Sequence, residues 1–206
     1  MRMPAARLSR RWLSSVMALS VTGCASLLGL GPAPHLYRVT PKSTYPVSLP
    51  HASGQLLVDV PFAPAGLDTE RIALSRSAIT VDYYAEAAWT DRAPLMVQSL
   101  LVQSFENSGR ITAIGRESLA LRADYVLRPE LRHFEAEYRD AAVPSARAAI
   151  GVKLVKLPER AIVAQRNFEA TAPAAANEMA AIVESLDTAL HEVTRQIVDW
   201  TLTAVR

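Results

Sequence analysis

Residues 125–138, YVLRPELRHFEAEY, lead into residues 145–155, SARAAIGVKLV, and residues 161–170, AIVAQRNFEA, and this stretch decides the fold. Side chains on a strand alternate between two faces, so a strand with one buried face shows apolar residues at every second position. In the second segment Ala148, Ile150, Val152 and Leu154 share a face, opposite Arg147, Gly151 and Lys153. In the first, Tyr125 and Leu127 have one parity and Phe134, Ala136 and Tyr138 the other. The inward face therefore changes near Pro129, as a bulge or an edge position would require. Pro158-Glu159-Arg160 turns the chain into the third segment. Three extended segments in series predict an antiparallel hairpin or meander.

Downstream, Met179, Ile182, Val183, Leu186, Leu190, Val193, Ile197 and Trp200 recur at intervals of three and four, with Glu184, Asp187, His191, Arg195 and Asp199 on the other side. That period predicts an amphipathic helix covering one face of the sheet. Upstream, Pro94 suits the first turn of a second helix, whose stripe is Val97, Leu100, Leu101 and Phe105 and whose end is Asn107-Ser108-Gly109. Leu56, Val58 and Val60 alternate before Pro61, and Ile79, Val81 and Tyr83 do the same, predicting two further strands. His35 to Thr40 reads as a first extended piece, and Pro41 to Gly54 as a loop. The expected class is α+β, a mainly antiparallel β-sheet with two principal helices packed on it in a single domain.

At the N-terminus Arg2, Arg7, Arg10 and Arg11 precede an apolar run from Trp12 to Thr22 that ends in Val21-Thr22-Gly23-Cys24. A basic region, a short apolar core and small residues at a cut site make a secretory signal. The run is shorter than the ~20 apolar residues that a spanning helix needs. Val21-Thr22-Gly23-Cys24 resembles the bacterial lipobox, which assigns 1–23 to a lipoprotein signal peptide and 24–34 to a lipidated N-terminus and linker, ASLLGLGPAP after Cys24. Residues 35–206 are left as the folded domain. Cys24 is the single cysteine, so no disulfide forms within the chain, and modification consumes a thiol that an oxidising compartment would attack. Ala25, where an aspartate commonly retains such proteins in the inner membrane, favours the outer membrane. Taking the four signal arginines from 22 basic residues leaves 18 against 20 acidic ones, a formal net charge of −2. That balance argues against nucleic acid as a partner.

Neither a Gly-x-Ser-x-Gly elbow nor an HExxH motif occurs, and the four histidines, His35, His51, His133 and His191, have no metal-ligand spacing. No catalytic residue, metal or cofactor is expected. Glu130, His133, Glu135 and Glu137 come nearest to a catalytic cluster, and strand alternation puts the last three on one face, where a solvated surface is the simpler account. Trp89, Asp91 and Arg92, an aromatic beside charges at a helix start, suit a partner contact. Local structure is the preferred account, with Asp91 capping the helix and Trp89 buried beneath it, since such caps recur at helix starts. Asp68 and Arg71 read as an i, i+3 ion pair in a short turn.

The order and spacing of several segments resemble the ABC-type transport auxiliary lipoprotein family. The resemblance runs from His35-Leu36-Tyr37-Arg38-Val39-Thr40-Pro41 through Ala65-Gly66-Leu67-Asp68-Thr69-Glu70-Arg71-Ile72-Ala73-Leu74, Val81-Asp82-Tyr83-Tyr84 and Ala88-Trp89-Thr90-Asp91-Arg92-Ala93-Pro94. It continues in Leu131-Arg132-His133-Phe134-Glu135-Ala136 and Ile197-Val198-Asp199-Trp200. The resemblance implies a periplasmic, membrane-anchored, non-catalytic lipoprotein that binds a mammalian-cell-entry domain protein beside an ABC permease and ATPase, in transport of lipids or other hydrophobic compounds. Self-association as a homo-oligomer is compatible with that role. A structural envelope lipoprotein and a periplasmic lipid-binding shuttle are the alternatives. The chain has no GxxxxGK[ST] phosphate loop, which fits a division of labour in which other chains hydrolyse ATP. If Cys24 carries the anchor, Cys24→Ser is expected to move a folded domain from the membrane to the soluble periplasmic fraction. Continued sedimentation with membranes in the absence of partners would overturn that assignment.

Overall fold

The computed structural model describes residues 33–116 and 122–205. The signal, Cys24 and the linker up to residue 32 lie outside the described residues. The unit Pro34–Arg206 contains, in order, β1 (His35–Tyr37), β2 (Ala52–Val58), β3 (Arg71–Ser75), β4 (Asp82–Trp89), α1 (Ala93–Ser108), β5 (Ile111–Arg116), β6 (Tyr125–Glu137), β7 (Ser145–Lys156), β8 (Ala161–Pro173) and α2 (Met179–Ala204).

The eight strands form one curled sheet organised around β6. Along one edge β6 pairs antiparallel with β7 over its whole length, and β7 pairs antiparallel with β8. Its other edge is divided: Tyr125 to Leu127 pair parallel with β2, and Glu135 to Glu137 pair parallel with β3. Beyond β2 lies β5, parallel to it, and beyond β3 come antiparallel β4 and then parallel β1. The sheet is therefore mixed, not mainly antiparallel as the three C-terminal segments led us to expect. Parallel pairs join strands far apart in sequence, so a run of consecutive hairpin-like segments carries no sign of them.

The change of face within β6 falls at Arg132, between Leu131 and His133, where the register against β7 shifts by one residue. Leu127 and Leu131 before the bulge and Phe134 and Ala136 after it are all buried on the helix side. The switch thus lies three residues beyond Pro129, which remains in register opposite Val152. Ile79 and Val81 prove to be 94% and 59% exposed and belong to the β3–β4 loop, because β4 begins at Asp82 and continues to Trp89. β3 begins at Arg71, the end of the expected short turn, and neither β3 nor β5 has a counterpart among the expected elements.

Both helices lie on the same side of the sheet. α1 packs on β5 and β2, α2 packs on β7, β8 and β6, and the two helices touch. Gly109 ends α1 in the left-handed conformation, φ 59°, donating its N–H to the Glu106 carbonyl. Asp91 does not cap α1. Arg92 holds the cap position, and the Asp91 carboxylate accepts the N–H of Arg92 at 2.7 Å, one residue too early to serve a first-turn amide. Within the core Trp89 stacks on Phe134, centroids 5.2 Å apart, and Phe168 meets Trp200 edge-on at 5.6 Å. On the outer side of α2, Asp187 and His191 hold the chain leaving β1. Thr40 donates its N–H and its hydroxyl to the Asp187 carboxylate at 2.6 and 2.9 Å, and the His191 ring lies 2.7 Å from the Thr40 carbonyl. No described helix is long and apolar enough to cross a membrane. Trp89 is 1% exposed, and truncating a buried tryptophan forfeits both transfer energy and packing. Trp89→Ala is expected to lower stability by about 3–5 kcal/mol in urea unfolding.

Candidate functional site

With both helices on one side, the other face of β6, β7 and β8 is left for function, and the register fixes its pattern row by row. Val126, Val155 and Ile162 are aligned, with Leu57 of β2 completing the row. Next come Arg128, Lys153 and Gln165, and then Glu130, Gly151 and Asn167. After the bulge His133 lies opposite Ala149, Glu135 opposite Arg147, and Glu137 opposite Ser145. The face thus runs from apolar, through basic, to a cluster of paired charges.

The charged end is a network. The His133 ring lies 2.7 Å from one Glu135 oxygen, and the other Glu135 oxygen accepts the Phe134 N–H at 2.7 Å. Arg147 donates to Glu137 at 3.0 Å and to Glu169 at 2.8 Å, while Arg139 pairs with the second oxygen of Glu137. The hydrogen bond to Glu169 raises the Arg147 pKa, and the Arg147 bond holds the Glu169 carboxyl below its ordinary value. His133, Glu135 and Glu137 do share a face, as alternation predicts, but only His133, its side chain 39% exposed, is solvated: the Glu135 and Glu137 side chains are 12% and 11% exposed. A pocket of about 550 Å³ opens above them, walled in part by Pro64, Leu67 and Val81. Their ligand atoms lie within 4.8 Å of one another. Both oxygens of each carboxylate are nevertheless engaged, those of Glu137 by two arginines, so the set is spent on its own contacts and poorly suited to a cation. Glu130 stands apart, paired with Arg132 at 2.9 Å.

Arg132, the bulged residue, lies over Gly151. A Cβ at Gly151 would stand 2.9 Å from the Arg132 guanidinium carbon. The bulge re-aims this side chain, and the glycine leaves room for it to lie on the sheet. It borders both the charged pocket and a larger open groove of about 1020 Å³ over the apolar and basic rows. Sequence reading passed over Arg132, Lys153 and Gly151. The signal was present in the Arg-Pro-Glu-Leu-Arg spacing, but it needed the pairing with β7 to become a surface.

Of the residues singled out as a partner contact, Trp89 lies beneath the surface while Asp91 and Arg92 are exposed. Arg92 forms an ion pair with Asp68. Asp68 therefore does not pair with Arg71, whose guanidinium sits 3.8 Å from the Tyr83 ring centroid.

Residues 36–198 match the family model described as ABC-type transport auxiliary lipoprotein component. The uncharacterised protein bll6063 of Bradyrhizobium diazoefficiens is 30% identical over 154 residues, 74% of this chain; the chain spans 41% of that relative's length. Among solved structures, protein XCC0632 of Xanthomonas campestris, a DUF330 protein, is 32% identical, with a TM-score of 0.78 covering 82% of this chain and 95% of that one. Another uncharacterised protein shares the fold at 13% identity, with a TM-score of 0.65 covering 82% and 99% of the two chains.

Because Arg147 joins two carboxylates, Arg147→Met is expected to cost about 1.5–3 kcal/mol, the scale of hydrogen bonds to charged groups. Glu169 has a lowered folded pKa, so its share of that stability is present above its ordinary value of 4.5 and is lost as pH falls through the lowered one. Urea unfolding at pH 7 and at pH 3 is expected to show a gap between parent and variant that narrows in acid.

Proposed function

Since the chain belongs to the ABC-type transport auxiliary lipoprotein component family, we propose that it is the non-catalytic component of an ABC transport system for lipids or other hydrophobic compounds, acting by binding a mammalian-cell-entry-type partner in the periplasm. The carrying observation is the family match itself, which extends from β1 into α2 and so takes in nearly every element of the domain. The family is described as an auxiliary transport component, not as an enzyme family, and as lipoproteins its members are membrane-anchored and periplasmic. On this reading Cys24 bears the lipid, the outer membrane is the anchoring site, and the ATPase and permease are separate chains.

The arrangement of the domain supports a docking role. The helices seal one side of the sheet, and the other side remains an open, grooved surface. At the start of α1, Asp91 and Arg92 stand exposed on a rigid corner, with Trp89 packed on Phe134 below them. We assign the partner contact to that corner, with Trp89 as its support. Exposed arginines backed by a packed aromatic suit protein recognition.

The test is recovery of a mammalian-cell-entry domain protein with the anchored chain from mild detergent extracts. Arg92→Glu is expected to reduce recovery several-fold without unfolding the domain, since the residue lies at the surface. Absence of such a partner under several mild extraction conditions would overturn the reading.

A further inference from the structure

We propose that the helix-free face binds a single-chain anionic amphiphile, its phosphate or carboxylate head on Lys153 and Arg132 and its acyl chain along the apolar row. This deepens the transport reading given above, and rests on it for its physiological sense, by placing cargo of that chemistry in direct contact with the auxiliary chain.

The apolar row is continuous across four strands. Leu57, Val126, Val155 and Ile162 are register partners in succession from β2 to β8, a span of about 14 Å at roughly 4.8 Å per strand. Leu57, Val126 and Val155 form a small apolar cluster of their own, separate from the main core, with Leu157 packed against it. Ile162 extends the row into solvent at 56% exposure. On the side of the sheet that no helix covers, all four line the groove, Leu57, Val126 and Val155 at 5%, 3% and 8% exposure and Ile162 as its solvent-facing end.

The basic row adjoins it on the same face. Lys153 stands directly opposite Arg128 on this face. Arg128 faces Asp59 at 3.9 Å, and Arg132 pairs with Glu130. Lys153 makes no ion pair among the described residues. Gly151, two residues before Lys153 and on the same face, lets the Arg132 guanidinium lie against the sheet. A head group in the groove that Arg132 and Lys153 both line would meet the planar donors of the one and the ammonium of the other, a combination suited to phosphate or carboxylate.

The groove over these rows, about 1020 Å³, is at the upper end of the roughly 300–1,000 Å³ typical of small-molecule sites. Its shape is that of an open trough, which suits an extended chain that must be received and released, not a ligand locked in an interior cavity. Apolar strip and cations occupy adjacent rows of one rigid sheet, so head and tail are recognised together.

The test uses the full chain carrying Cys24→Ser, titrated below micellar concentrations with dodecyl phosphate, dodecyl maltoside and inorganic phosphate in separate arms. Dodecyl phosphate is expected to bind at least about tenfold more tightly than either of the others, a tenfold step being about 1.4 kcal/mol. Lys153→Glu is expected to weaken it by about the same factor. Gly151→Ala, which pushes the Arg132 guanidinium off the sheet, and Ile162→Ser are each expected to weaken it several-fold. All three positions permit the check that circular dichroism is unchanged. Equal binding of dodecyl maltoside would mean an apolar surface without head-group recognition, and equal binding of inorganic phosphate an anion site without a chain; either overturns the proposal. So does undiminished binding by Lys153→Glu. Amphiphile binding is measured without partner and partner capture without added amphiphile, so each reading fails independently of the other.

Discussion

The fold depends on β6 being hydrogen-bonded along both edges while one of those edges is shared between two groups of strands. A strand of 13 residues is long enough to seat β2 against its first residues and β3 against its last. Neither group continues along the full length, so the sheet must splay around β6, and the antiparallel β7 on the opposite edge holds the whole strand straight enough to permit it. Strand twist then curls the assembly. The bulge at Arg132 lies between the two junctions, and it allows Leu131 and Phe134 to face the same core although their separation in sequence would put them on opposite faces.

That arrangement divides the molecule by chemistry. Gathering α1 and α2 on one side concentrates the large apolar side chains there, with Trp89, Phe105, Phe134 and the aliphatic stripe of α2 sealed away from water. The far side has only the small cluster of Leu57, Val126 and Val155 at one end, and at the other its carboxylates are satisfied by arginines and by a backbone amide. Burying such charges is tolerable because each has a partner. The pockets above them are therefore bounded by groups whose positions are already set before anything binds, which is the condition for a surface to recognise a ligand or partner without reorganising.

Elements whose stabilisation is local or strongly periodic were legible from residues alone. α2 presents the same apolar stripe in space as in sequence, β7 buries the residues its alternation marks, and Asn107-Ser108-Gly109 ends α1 where a left-handed residue is needed. Elements stabilised by distant partners were not. Arg71–Ser75 is a strand because β6 and β4 flank it, and its neighbour Asp68 is drawn away to Arg92. Ile79 and Val81 alternate convincingly, yet they lie where no strand pairs with them and remain in water. The candidate site shows the same division. Period 2 was enough to place His133, Glu135 and Glu137 together, but the burial of the two glutamates arises from β3 and from Arg147 on β7, which no local pattern announces.

One consequence concerns solubility. β8 is bonded to β7 alone among the described strands, and its first three residues, Ala161, Ile162 and Val163, are exposed. An apolar edge of this kind is a template on which another chain could lay a strand. Two devices already in the fold oppose that. The irregular register between Leu154 and Val155 interrupts the regular ladder at Val163, and Glu159, Arg160 and Arg166 flank the apolar segment with charge. The edge can thus keep the apolar end of its groove accessible while resisting self-assembly into extended sheets, so those flanking charges act as gatekeepers of the colloidal state as much as features of the surface.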